Sequence, residues 1–203
     1  MKGGEKMNIT NSRYINEYLD LNCSADMQSK KIFPNAKEIT ESFGAYTAYR
    51  RFFSKKYPPD SKKLIIVCPG DGITPRTSAL FAYLTEFFCV SVDPALEEKR
   101  QKKTKDSKWS NIAHLEYMKE KIQNVFIDPL EEKQKALIVA VHCHVDLNII
   151  LKSVRMPIAG IIAIPCCKPL KLSQKDMDKY NLHYVCKYND SGIWSEKNLV
   201  KVW

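Results

Sequence analysis

Two groups of residues in this chain have the types and spacing of reactive or ligand-binding sites. Gly70-Asp71-Gly72 stands at the exit of the apolar run 64–68, and Asp93 closes a second apolar run, 87–92, twenty-one positions beyond Gly72. A buried strand, a glycine turn, a helix and a second strand tipped with an acid make half of a nucleotide-cofactor cradle. The glycines let a ligand approach the backbone, and the carboxylate can hold two ribose hydroxyls. The second group is His142-Cys143-His144-Val145-Asp146 and Pro165-Cys166-Cys167, each following an apolar run directly.

Three chemistries are open to that second group. His142 or His144 can accept a proton from a nitrogen or hydroxyl, with Asp146 as the orienting carboxylate. Cys166 can attack a pyrimidine carbon if a nearby base or cation makes it a thiolate. Two cysteines with two histidines can bind zinc, but His-x-His and Cys-Cys are not the usual Cys-x2-Cys spacing, so the sequence assigns no metal. Buried, space-filling cysteines with backbone-bonded histidines are the plain alternative. Asp71 either meets a cofactor ammonium or caps the following helix. Arg76 either meets a carboxylate or phosphate near that helix start or forms an ion pair.

Alternating strands and helices must position these residues. Strands are predicted at 63–68, 87–93, 136–141 and 158–164, with an antiparallel hairpin from 183–187 and 199–203 across the turn-forming run 189–192. Helices are predicted at 36–57, from Thr74-Pro75 onward with threonine as cap, and at 145–154. The apolar positions Ile112, Leu115, Met118, Ile122 and Val125 suit an amphipathic helix, with a short strand near 112–117 as the alternative. Residues 1–35 read as an irregular or weakly helical arm, a candidate docking segment for a protein partner. Continuous apolar strands between helices imply a mostly parallel sheet covered on both faces. The division is an N-terminal arm and helix, 1–59, and an α/β domain, 60–203.

Bulk properties narrow the setting. The chain has 203 residues, 32 basic and 23 acidic side chains and a formal net charge of +9, a balance that favours a polyanion such as RNA or a solvated lysine-rich surface. The basic stretch 97–108 is the candidate grip on phosphates. No run reaches the ~18 apolar residues of a membrane span, and no signal-peptide h-region is seen at the start. Seven scattered cysteines fit a reducing, cytoplasmic compartment rather than a disulfide framework.

Over roughly residues 60–203 the chain resembles the Rossmann-like, class I family of S-adenosylmethionine-dependent methyltransferases. The resemblance implies a seven-stranded sheet with a terminal antiparallel hairpin and S-adenosyl-L-methionine as cofactor. It also implies Gly70 and Gly72 around the amino-acid part of that cofactor, with Asp71 between them as a candidate contact, and Asp93 on its ribose. The segment His142 to Leu147 with Cys166-Cys167 is similar to an RNA-methyltransferase branch carrying a His-x-Cys-Gly-Asp-Leu-like segment and a paired cysteine. His144 replaces that glycine, Val67-Cys68-Pro69 replaces the usual acid before the loop, and the third loop glycine is absent. These departures motivate a second expectation, a methyltransferase fold without catalysis serving as an RNA- or protein-binding scaffold. A nicotinamide oxidoreductase is disfavoured by the missing third glycine and by the hairpin.

Overall fold

A computed structural model of the chain describes residues 11–97, 108–167 and 170–203. Seven strands form one sheet: β1 (Leu64–Pro69), β2 (Phe88–Val92), β3 (Leu115–Met118), β4 (Lys135–Val141), β5 (Ile158–Ile164), β6 (Cys186–Asn189) and β7 (Leu199–Val202). Their order across the sheet is β3-β2-β1-β4-β5-β7-β6. The first five are parallel, and β7 pairs antiparallel with both β5 and β6. This mixed sheet with its reversed terminal pair is the methyltransferase-like α/β fold that the strand pattern predicts.

Both faces of the sheet are covered, and the two-residue period of each strand divides the core. Leu64, Ile66 and Cys68 face one apolar layer, whereas Ile65 and Val67 face the other. The first layer is built by α1 (Arg13–Leu19), α2 (Ser24–Ser29), α3 (Ala36–Phe52) and α4 (Arg76–Leu84). The second is built by α5 (Leu147–Ser153), a single 3-10 turn at Ile122–Asn124, and residues of α6 (Gln174–Lys179).

Helix α3 starts where Asn35 accepts the Glu38 amide at 3.1 Å, an N-cap with an acid in the first turn and Arg50 and Arg51 in the last. Its Phe43, Tyr46 and Tyr49 pack in the core, so these aromatic side chains form a packing face. The helix is shorter than predicted; Phe53, its C-cap, closes it before the Pro58-Pro59 break.

Three local expectations change. Residues 112–125 do not form a helix; they give edge strand β3 and the 3-10 turn. Leu115 and Met118 stand three apart, which imitates a helical face, but His114 at φ 61° interrupts the chain just before the strand. Helix α6, rich in charge and with no buried residue, carries no apolar stripe that would betray it. The segment 13–29 is helical and packed, with Tyr14, Tyr18 and Met27 buried. The basic stretch falls largely outside the described residues, although Lys108 lies over the Trp109 ring at 5.1 Å. No helix among the described residues is long and apolar enough to cross a membrane.

Helix α1 is tied to the turn between β6 and β7. The Tyr14 hydroxyl donates to Asp190 Oδ2 at 2.6 Å, and Arg13 donates to Oδ1 at 2.5 Å. The Gly192 amide also reaches Oδ1, at 2.9 Å. The Asp190 carboxylate is almost wholly buried, so each donor compensates its loss of water. Tyr14→Phe is expected to cost about 1–3 kcal/mol in urea unfolding, the usual effect of removing one hydrogen bond to a buried charge. Asp190→Ala is expected to cost more, because all three donors lose their acceptor.

Candidate active site

The loops after β1, β2 and β4 meet at the carboxyl rim of the sheet, where parallel α/β folds bind ligands. A cleft of about 490 Å³ lies there, inside the roughly 300–1,000 Å³ range of small-molecule sites. Gly70, Gly72 and Arg76 form one wall, Val92, Asp93 and Pro94 the next. Lys121, Ile122 and Gln123 line the side after β3, and His142, His144 and Val145 close it after β4.

The glycine turn follows from backbone geometry. Gly70 has φ +68° and Gly72 φ +94°, a region that side chains with a Cβ disfavour. A Cβ on Gly70 would sit 3.0 Å from Cys143 Sγ, so this glycine lets the β1 and β4 loops touch. Cys143 itself is buried, and that burial pushes its thiol up to about 11, leaving it protonated and inert.

Asp71 turns away from the cleft. Its Oδ1 accepts the Thr77 amide at 2.9 Å, and its Oδ2 accepts the Ser78 amide at 3.1 Å. The Ser78 and Ser91 hydroxyls add bonds at 2.8 and 3.1 Å. It therefore caps α4 and is not placed to contact a cofactor. Burial pushes its carboxyl above the ordinary range, and the Arg76 charge and the two amides act against that shift. Thr74, the predicted cap, instead donates to the Ile32 carbonyl at 2.5 Å.

Asp93 does face the cleft. Its Oδ2 accepts the Gly72 amide at 2.8 Å and its Oδ1 the Ala95 amide at 2.7 Å. One amide on each oxygen leaves further lone pairs for a ligand. Arg76 is paired with Glu38 at 2.7 Å, yet its Nε is buried without a hydrogen-bond partner among the described residues.

His142 is the first residue after β4 and takes φ 51°, a left-handed conformation unusual for a residue with a side chain. Its Nδ1 lies 3.4 Å from Glu41 Oε1, and its Nε2 lies 3.5 Å from the Lys197 carbonyl. Glu41 on α3 is 1 % exposed. The carboxylate that faces this imidazole is thus Glu41, a residue hidden in the sequence among helix-surface acids 101 positions away. Asp146, the predicted orienting acid, is exposed at the N-cap of α5 and makes no side-chain capping bond. Burial holds the His142 imidazole below its ordinary 6.5, with Glu41 pulling the other way.

His144 borders the cleft and turns its Nε2 toward Cys166 Sγ, 2.9 Å away, and Cys167 Sγ, 3.4 Å away. Cys166 does not line the cleft itself. Glu116 in β3 and Asp128 beyond the 3-10 turn, the acids near this wall that could meet an adenine, are both exposed and neither borders the cleft; Ile122 and Gln123 occupy that wall.

No family model matches the chain, and no curated protein matches it. Solved structures do match: the crystal structure of a point mutant of MtNAS covers 93 % of this chain and 72 % of that chain at 13 % identity, with a TM-score of 0.44. The fold assignment rests on the strand order itself.

Gly70→Ala is expected to destabilise the fold by about 1–3 kcal/mol in denaturant unfolding, the range for a non-glycine residue forced into a strained region. The companion Gly70→Ala/Cys143→Gly is expected to recover only the steric part of that loss. Full recovery would show that contact, and not φ, dominates.

Proposed function

We propose that the cleft binds S-adenosylmethionine and that the protein transfers its methyl group to RNA. The observation carrying this reading is Asp93, a carboxylate at the tip of the second strand, aimed into a cleft whose facing wall is the Gly70–Gly72 turn. Its remaining lone pairs suit ribose hydroxyls. The buried, partnerless Nε of Arg76 is a donor suited to the ligand's carboxylate, and the apolar Val92 and Ile122 suit an adenine. The cofactor supplies an electrophilic methyl on a sulfonium.

The chain's own part is to hold the acceptor and take its proton. His142 is the proposed acceptor of that proton, because it borders the cleft and is kept neutral by burial. Glu41 is its positioning residue, favouring the proton on Nδ1, and Nε2 becomes the basic atom once the methyl acceptor replaces the long 3.5 Å contact with the Lys197 carbonyl. The net charge of +9 and Lys121 at the cleft support a polyanionic acceptor, and RNA joins that charge to a nucleophilic nitrogen or hydroxyl.

Isothermal titration is expected to show S-adenosylmethionine and its demethylated product binding the full chain, with Asp93→Ala weakening both by about 10–100-fold, the loss of one or two hydrogen bonds to a charge. No binding at millimolar ligand would refute the enzyme and leave the scaffold.

In a labelled-methyl assay, label is expected in the RNA fraction, and His142→Ala is expected to lower turnover by about 100- to 10,000-fold, the usual contribution of a positioned base. The acidic limb of the pH–rate profile is expected below pH 6.5, since a depressed imidazole keeps its acceptor lone pair to lower pH. Glu41→Gln is expected to lower turnover and shift that limb, whereas a merely structural Glu41 would leave the limb in place.

A further inference from the structure

A second cluster stands beside the cleft. Neighbouring parallel strands β4 and β5 end in register at Val141 and Ile164, so the loops that follow them emerge side by side. That brings His144 from one loop against Cys166 and Cys167 from the next. Their donor atoms, His144 Nε2 and the two Sγ atoms, all lie within 4.8 Å of one another. In extended chain, adjacent side chains point to opposite faces. Here a bend at Cys166-Cys167 turns both sulfurs to one side, 3.6 Å apart, and both face the same ring nitrogen.

The spacing can be compared with that of a bound ion. Zinc bonds of about 2.3 Å to sulfur and about 2.0–2.1 Å to nitrogen, at tetrahedral angles, put two sulfurs roughly 3.8 Å apart and a nitrogen and a sulfur roughly 3.6 Å apart. The sulfur pair at 3.6 Å and the His144–Cys167 pair at 3.4 Å are already near those values. Only the His144–Cys166 pair, at 2.9 Å, must open, and Cys167 and His144 are exposed enough to allow it. Two thiols and an imidazole form a soft set, suited to zinc-class ions and unsuited to magnesium or calcium.

We propose that His144, Cys166 and Cys167 bind a zinc-class divalent cation through three protein ligands, with the fourth position open to water or a substrate atom at the edge of the cleft. Binding releases the two thiol protons, and affinity falls as pH is lowered. The site does not depend on methyl transfer and is tested apart from it.

The full chain, stripped with chelator and kept reduced with a phosphine, is titrated with cobalt(II). One ion per chain is expected, with tetrahedral ligand-field bands and a thiolate-to-cobalt charge-transfer band that zinc(II) abolishes by displacement. Cys166→Ser/Cys167→Ser is expected to lose the charge-transfer band, and Cys186→Ser to keep it. His144→Ala is expected to weaken binding by more than the roughly 10–100-fold typical of losing an outer-shell partner. Failure of the unsubstituted chain to give the band while both thiols react freely with a disulfide reagent would overturn the site, whatever the variants do. A band that survives the double substitution in a chain with unchanged circular dichroism would overturn it as well.

Discussion

A carboxylate taken out of water costs several kcal/mol unless its lone pairs are met, and Asp71 meets that demand by gathering the start of α4 and the end of β2 around itself. Two helix amides, the Ser78 hydroxyl and the Ser91 hydroxyl all converge on it. The amides are ones that the helix would otherwise leave unpaired. To turn inward, Asp71 needs sharp bends on both sides, and Gly70 and Gly72 supply them in a region where glycine is at ease. The outward-facing amide of Gly72 is then free to hold Asp93. One inward acid thereby orients an outward one, and the cleft exists between them.

The fold was legible because its strands are buried on both faces. Runs such as 136–141 and 158–164 are apolar throughout, which only a covered parallel sheet requires. Legibility failed where burial is partial. Strand β3 lies at the edge, with no residue of it fully buried, and its short apolar pattern reads equally as a helix. Helix α6 offers a single apolar residue, Met177, and helices α1 and α2 depend on tertiary contacts of a few residues, too short to announce themselves by period.

The site was legible in its backbone and less so in its partnerships. Gly70, Gly72, Asp93, His142 and His144 reach the cleft because they follow strand ends, which sequence locates well. Asp71 and Asp146 have the right chemistry near the right strands, but their directions depend on loop torsions that spacing does not encode. The pairing of His142 with Glu41 joins residues from different layers of the fold, and only the packing of α3 across β4 and β5 brings them together. The convergence of His144 with Cys166-Cys167 likewise comes from strand adjacency, so local spacing undervalued it.

The bond between Tyr14 and Asp190 spans 176 positions and closes the molecule like a clasp. A ribosome delivers Tyr14 176 positions ahead of Asp190, so this acceptor is missing until that stretch has been made. Helix α1 can pack on α3 before then, through Tyr14 and Tyr18 against Phe43, but its tie to the β6–β7 turn waits for Asp190. Contacts of such wide sequence separation slow folding, and a chain cut before Asp190 would keep the packing of Tyr14 on Phe43 while losing the clasp.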